Sequence, residues 1–185
     1  RPGVEGLEIT AGRRTGVQVE RFHTGSRKKA DKSLLDAMQA GQPLMIHVDM
    51  GFLPYFDLPD DYHFGHHLVV VCGYDAESEQ VLIADRDAEL HPISLEDLPT
   101  ARGSTFKPFP PHNTWYTFDF SQKRPPTADE VRQAIREQTT AMLEPPIRNV
   151  GVKGIRKAAS LVPKWGDKMG AEELRWALFN AHIFI

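Results

Sequence analysis

The run from His63 to Asp75, HFGHHLVVVCGYD, sets the strongest limit on what this chain can fold into. It is the most apolar stretch, it carries three of the eight histidines, and the turn Asp75-Ala76-Glu77-Ser78-Glu79 closes it. A second short apolar run, Val81 to Asp85, follows at once. Two such runs joined by a polar turn predict a β-hairpin. Side chains alternate along a strand, so His67, Val69, Val71 and Gly73 share one face, and Leu68, Val70 and Cys72 share the other. His67 heads one strand and Asp85 ends its partner, so both fall at the open end of the hairpin. There the carboxylate can accept the Nδ1–H of His67, fix its tautomer, and stabilise the imidazolium formed when Nε2 takes a proton. A thiol or hydroxyl nucleophile needs that from its base. The same spacing fits a purely structural hydrogen-bonded pair.

The flanking chain supports an α+β sheet. Residues 1–16 are rich in Gly, Arg and Thr and read as loop. Val17 and Val19 alternate with Gln18 and Glu20 as a short half-exposed strand. A helix from Ala30 presents Leu34, Leu35 and Met38 on one stripe, and Gly41 ends it as a C-cap. Leu44 to Asp49 is apolar on both faces and predicts a central strand. Residues 50–62, with two prolines, a glycine and four aromatics, predict an irregular loop, either a site wall or a packed surface loop. Ile93 to Leu98 reads as one helical turn with Ser94 as N-cap. Residues 101–113 read as loop, and Thr114 to Phe120 as a strand.

The character changes near Ser121, where we place a boundary between an α+β region, 1–120, and a helical region, 121–185. Thr127 and Glu130 form a capping box. They open a helix to about Leu143, ended by Pro145-Pro146, with Val131, Ala134, Ile135, Gln138 and Met142 on one face. Further helices run near Val152–Val162, broken by Pro163, and from Ala171 onward.

A net charge of −3 offers no electrostatic footprint for nucleic acid or an anionic membrane, and the basic clusters Arg13-Arg14 and Arg27-Lys28-Lys29 read as solvated loops. No apolar run approaches the ~20 residues of a membrane span. The single cysteine, Cys72, excludes an intrachain disulfide and fits a reducing, cytoplasmic setting. A start at Arg1 without Met and an end on Ala181-His182-Ile183-Phe184-Ile185 read as a piece of a longer protein.

Other candidates are weighed against plainer roles. His63-x-x-His66-His67 does not follow zinc-site spacing on a helix, because Gly65 and the valine-rich strand oppose a helix; no metal and no cofactor is expected. His66 reads as facing solvent or the loop, His47 as a hydrogen-bonded core histidine. Asp49 either lines the cleft or caps the end of its strand. Tyr55, in the aromatic loop, is a substrate-binding candidate. Trp115, Trp165 and Trp176 read as packing residues. Cys72 lies on the opposite face from His67 and reads as a small buried hydrophobe.

His67-Leu68-Val69-Val70-Val71-Cys72-Gly73-Tyr74-Asp75 resembles the histidine strand of papain-like cysteine peptidases, where a histidine directly precedes an apolar strand ending in Gly-Tyr. It is also similar to the bacteriocin-processing double-glycine peptidases, whose aspartate ends the next strand, as Asp85 does. The wider order is closer to the butirosin biosynthesis protein H type: Gly41-Gln42-Pro43, then Val48-Asp49 with Leu53-Pro54-Tyr55, then the histidine strand with Gly73-Tyr74-Asp75. These motifs cover about residues 41–87, and the rest of the C-terminal half looks like the attached domain of unknown function. The resemblance implies a papain-like fold and acyl transfer through a cysteine thioester, with His67 as general base and Asp85 as its orienter. It also implies an acyl carrier protein or a peptide as partner. The family supplies its nucleophilic cysteine from an early helix upstream of the histidine, and Cys72 does not match that position. The expected activity is therefore a cysteine-dependent acyltransferase or amide hydrolase in secondary-metabolite or peptide biosynthesis, with its thiol outside these residues. The alternatives are an inactive papain-like module that binds a carrier protein or peptide, and a helical interaction domain on an α+β scaffold.

Overall fold

The computed structural model describes residues 6–183. The chain divides into two compact units, Arg1–Arg124 and Pro125–Ile185. In the first, α1 (Leu7–Thr15), β1 (Gln18–Phe22), α2 (Arg27–Gln39), β2 (Leu44–Val48), β3 (His67–Asp75), β4 (Gln80–Ala84), β5 (Leu90–Ser94), α3 (Leu98–Gly103) and β6 (Trp115–Asp119) follow in order. The second contains α4 (Ala128–Leu143), α5 (Gly151–Leu161) and α6 (Ala171–Ile183). The protein is thus a mixed α+β chain, with an antiparallel sheet first and mostly helices after.

The six strands form one sheet in the order β1-β6-β2-β3-β4-β5. Every pairing is antiparallel. β2 lies inside the sheet, as its two-sided apolar pattern requires. One face is the core: Leu44, Ile46 and Val48 of β2, Val69 and Val71 of β3, and Val81 and Ile83 of β4 pack with Leu34 of α2 and Leu98 and Ala101 of α3. The hairpin register is set by this face, because a slip of one residue would turn the valines of β3 to solvent. β3 and β4 pair from Asp75↔Gln80 to Val70↔Ala84, with a bulge at Cys72 between Val71 and Gly73. Pro92 sits in β5, an edge strand, where its missing N–H leaves no ladder bond unmade.

Several segments differ from the sequence reading: Arg27-Lys28-Lys29, read as loop, is the first turn of α2 behind the Ser26 cap, and residues 101–103, also read as loop, end α3. Residues 7–15 form a helix rather than loop, because its glycines do not act as breakers. Gly16 takes the left-handed conformation at the helix end, φ 75°. At Gly12 a Cβ would run into the Val19 side chain and the Val17 carbonyl, so a small residue lets the helix approach β1. Ile93 is not in a helical turn but in β5, opposite Val81. The Ser94–Asp97 exchange, in which the Ser94 hydroxyl donates to the Asp97 carboxylate and accepts the Asp97 N–H, instead forms the turn before α3.

Arg102 of α3 is fully buried. Its Nη1 donates to the Ala30 carbonyl at 3.1 Å, Asp31 stands 3.9 Å away, and Nε and Nη2 have no partner. Burial pulls its pKa down to about 10, partly offset by Asp31. A buried cation with half its donors unmet costs more than its pairing returns. Arg102→Met, which keeps the long apolar stem, is expected to raise the unfolding free energy by about 1–2 kcal/mol in urea titration.

In the second unit, α4 begins at a capping box in which Thr127 accepts the Glu130 N–H and Glu130 accepts the Thr127 N–H. Its Val131 and Ile135 are exposed. Among the described residues no helix is long and apolar enough to cross a membrane.

Candidate functional site

The open end of the β3–β4 hairpin brings His67 and Asp85 together on the core face. His67 Nε2 lies 2.8 Å from Asp85 Oδ2, and the two side chains are 11% and 3% exposed. With Asp85 ionised the bond needs the Nε2–H tautomer, which leaves Nδ1 with the free lone pair. The nitrogens are therefore reversed from the sequence reading, which had Asp85 on Nδ1. Nδ1 takes no hydrogen bond and is not sealed from solvent.

Tyr55, from the loop after β2, donates its hydroxyl to the same Asp85 oxygen at 2.9 Å. Burial first, and the bond to Asp85 second, push the phenol pKa far up, so Tyr55 remains a donor. Phe56 meets the His67 ring edge-on, with centroids 5.6 Å apart. Arg86 lies over the other ring of this contact, 5.1 Å from the Phe56 centroid. A pocket of about 360 Å³ is lined by Tyr55, Phe56, Asp85, Arg86 and Asp87. His91 of β5 stacks on Tyr55 at 3.9 Å and bonds to both oxygens of Asp87 at 3.0 Å. Phe56, Arg86, Asp87 and His91 were not singled out in the sequence. The tripeptide Asp85-Arg86-Asp87 at a strand end was the available signal for two of them.

Asp49 does not line this pocket and is completely buried. Its Oδ1 accepts the N–H groups of Gly51 and Phe64 at 3.2 and 2.9 Å. Its Oδ2 accepts the Ser104 hydroxyl and stands 3.1 Å from His63 Nδ1. His63 in turn stacks on Phe106 at 3.4 Å. Of its two sequence roles, the cap is the one the geometry contains: Asp49 caps the 3₁₀ turn Met50–Phe52 and ties both ends of the aromatic loop to the segment after α3.

The three histidines of the opening run go to three different places. His63 meets Asp49, His66 meets His47 with ring centroids 5.1 Å apart, and His67 meets Asp85. Among the described residues no group of three His, Cys, Asp or Glu side chains is placed to hold a metal. Cys72 is exposed at the bulge, its thiol directed to the Leu82 carbonyl at 3.4 Å. Five residues of strand put it on the order of 15 Å along β3 from His67.

His47 is buried, with Nε2 3.0 Å from the Tyr116 hydroxyl. Burial, then the neighbouring His66 and Arg21, lower its pKa from 6.5 to about 4. Above pH ~6.5 the ring is neutral in both folded and unfolded chains and contributes no pH dependence. Below that, the unfolded chain takes up a proton that the folded one refuses, so stability falls with pH, by up to about 3 kcal/mol at pH 4. Urea titrations at pH 7 and pH 5 are expected to show a steeper loss for the wild type than for His47→Gln.

Residues 1–86 match the family model described as butirosin biosynthesis protein H, N-terminal. Residues 96–185 match a domain of unknown function, DUF4872. The chain thus carries a butirosin biosynthesis protein H N-terminal domain followed by a DUF4872 domain. No curated protein matches it. The family boundary does not coincide with the compact units. β6 lies in the DUF4872 match, yet it is inserted between β1 and β2 of the butirosin-protein-H region. α3, whose Leu98 and Ala101 complete the core, lies in that match too. Both family regions therefore build the one sheet that carries His67 and Asp85.

Proposed function

We propose that this chain supplies the base half of a cysteine-dependent acyltransferase or amide hydrolase of the butirosin-protein-H type, with a papain-like arrangement. The observation that carries the reading is the 2.8 Å bond between His67 Nε2 and Asp85 Oδ2, which leaves Nδ1 as the free base. In this reading Nδ1 takes the proton of a thiol, and the thiolate attacks the carbonyl of an acyl donor. The imidazolium then protonates the leaving thiol or amine, and a thioester remains on the enzyme. Asp85 stabilises the transient cation, and Tyr55 holds Asp85 in place by its second bond. An acceptor amine or water, deprotonated by the same nitrogen, releases the acyl group. The donor is an acyl carrier protein or a peptide, and the work belongs to secondary-metabolite or peptide biosynthesis.

The position of Cys72, exposed and far along the strand, favours a nucleophile outside these 185 residues. The same observation is what a second reading rests on: a papain-like module that binds a carrier protein or peptide without catalysis. Transfer of an acyl group from a thioester onto a cysteine other than Cys72 separates the two.

A further inference from the structure

The face of the sheet opposite the core is apolar over four strands and carries a set of polar side chains at its flank. Met45 of β2, Leu68 and Val70 of β3, and Phe118 of β6 line a cavity of about 760 Å³ with residues of α1 and β1. On three of these strands the chemistry changes two residues along. Val19 is followed by Arg21 on β1, Met45 by His47 on β2, and Phe118 is preceded by Tyr116 on β6. The register sets Arg21 and Tyr116 level with Met45 and Val70, and His47 level with Leu68, so the polar side chains lie beside the apolar floor.

The row is physically connected. His47 Nε2 is 3.0 Å from the Tyr116 hydroxyl, the Arg21 guanidinium lies 5.9 Å from the Tyr116 ring, and His66 meets the His47 ring edge-on. His47 is 6% exposed, and its Nδ1 completes no hydrogen bond; the Gly65 backbone stands near enough to favour the charged ring slightly. The charged groups acting on His47 and His66 are Arg21, His112 and other histidines, all basic. No carboxylate pairs with Arg21 among the described residues.

We propose that this face binds a long-chain carboxylate, its apolar chain over Met45, Leu68, Val70 and Phe118 and its carboxylate at Arg21 and the His47–Tyr116 pair. The volume lies in the range of small-molecule sites. Burial keeps the His47 ring neutral at pH 7, and His66 is shifted in the same direction, so the row offers one full positive charge, from Arg21, together with neutral donors. That matches a singly charged head rather than a phosphate, for which clustered cations are the usual device. His67 and Asp85 lie on the other face, so this site stands or falls independently of the proposed acyl transfer.

Titration calorimetry of the full-length protein with decanoate, decanol and acetate tests it. Decanoate is expected to bind at least tenfold more tightly than decanol, with acetate giving no measurable heat. Arg21→Gln, on an exposed edge strand, is expected to raise the decanoate Kd about tenfold and leave decanol unchanged. Val70→Trp, which fills the cavity, is expected to abolish both. In ring-nitrogen NMR, decanoate is expected to shift the signals of His47 and His66 and leave His67 in place. Absence of decanoate binding, equal affinity for decanoate and decanol, or indifference of the decanoate Kd to Arg21→Gln would each overturn the proposal. If Val70→Trp does not fold, the Arg21→Gln and NMR results decide.

Discussion

His67→Ala is expected to lower kcat/KM of the full-length protein on an acyl thioester by about 10²- to 10⁴-fold, the usual contribution of a positioned general base. The loss should be catalytic rather than structural. His67 is at the strand end, and Val69 and Val71, which fix the strand to the core, are untouched. Asp85 is not left bare either, because the Tyr55 hydroxyl still donates to it. The variant should therefore unfold in urea close to the wild type while its turnover collapses. Full activity in this variant would remove His67 from the chemistry.

The largest expected effect on stability is that of Asp49→Ala. Asp49 is shut away from water and serves four donors: two backbone N–H groups, the Ser104 hydroxyl and the His63 ring. Truncation strands all four without admitting water to replace the carboxylate. The expected loss is about 3–5 kcal/mol in the urea-extrapolated unfolding free energy. The aromatic loop carrying Tyr55 and Phe56 runs from this anchor, so the His67 pocket should loosen along with the fold. A loss under about 1 kcal/mol would mean that the loop is held by its aromatic packing instead.

These two residues also mark how far the sequence could be read. The hairpin was legible because alternation, β-branching and a polar turn all agree over residues 68–85, and strand geometry then sets His67 and Asp85 at the same open end. Which imidazole nitrogen meets the carboxylate depends on a side-chain rotation, and no spacing encodes that. Asp49 stood between two roles because a carboxylate after a strand can line a cleft or cap a turn. Its fate was decided by Ser104, 55 residues away. Tyr55 was legible as a residue of the site wall but not as the second donor to Asp85, since that contact joins a loop to a strand end 30 residues later. α1 was hidden by reading Gly12 and Gly16 as breakers, when one permits close approach to β1 and the other ends the helix. The insertion of β6 between β1 and β2 rests on pairings across about 70 residues to β2 and about 95 to β1, and leaves no local trace. It also explains why the attached domain of unknown function cannot be separated from the site: without β6, β1 loses its only neighbour in the sheet and β2 one of its two.

A thiol activated by the proposed His67–Asp85 pair takes up an acyl group from a thioester. The direct measurement is to mix the full-length protein with an acyl thioester, quench in acid within seconds, and map acylated peptides by mass spectrometry in the wild type and in His67→Ala. A thioester is expected on one cysteine other than Cys72 in the wild type, and its loss in the variant. No adduct in the wild type, an adduct confined to Cys72, or equal labelling in both proteins would contradict it.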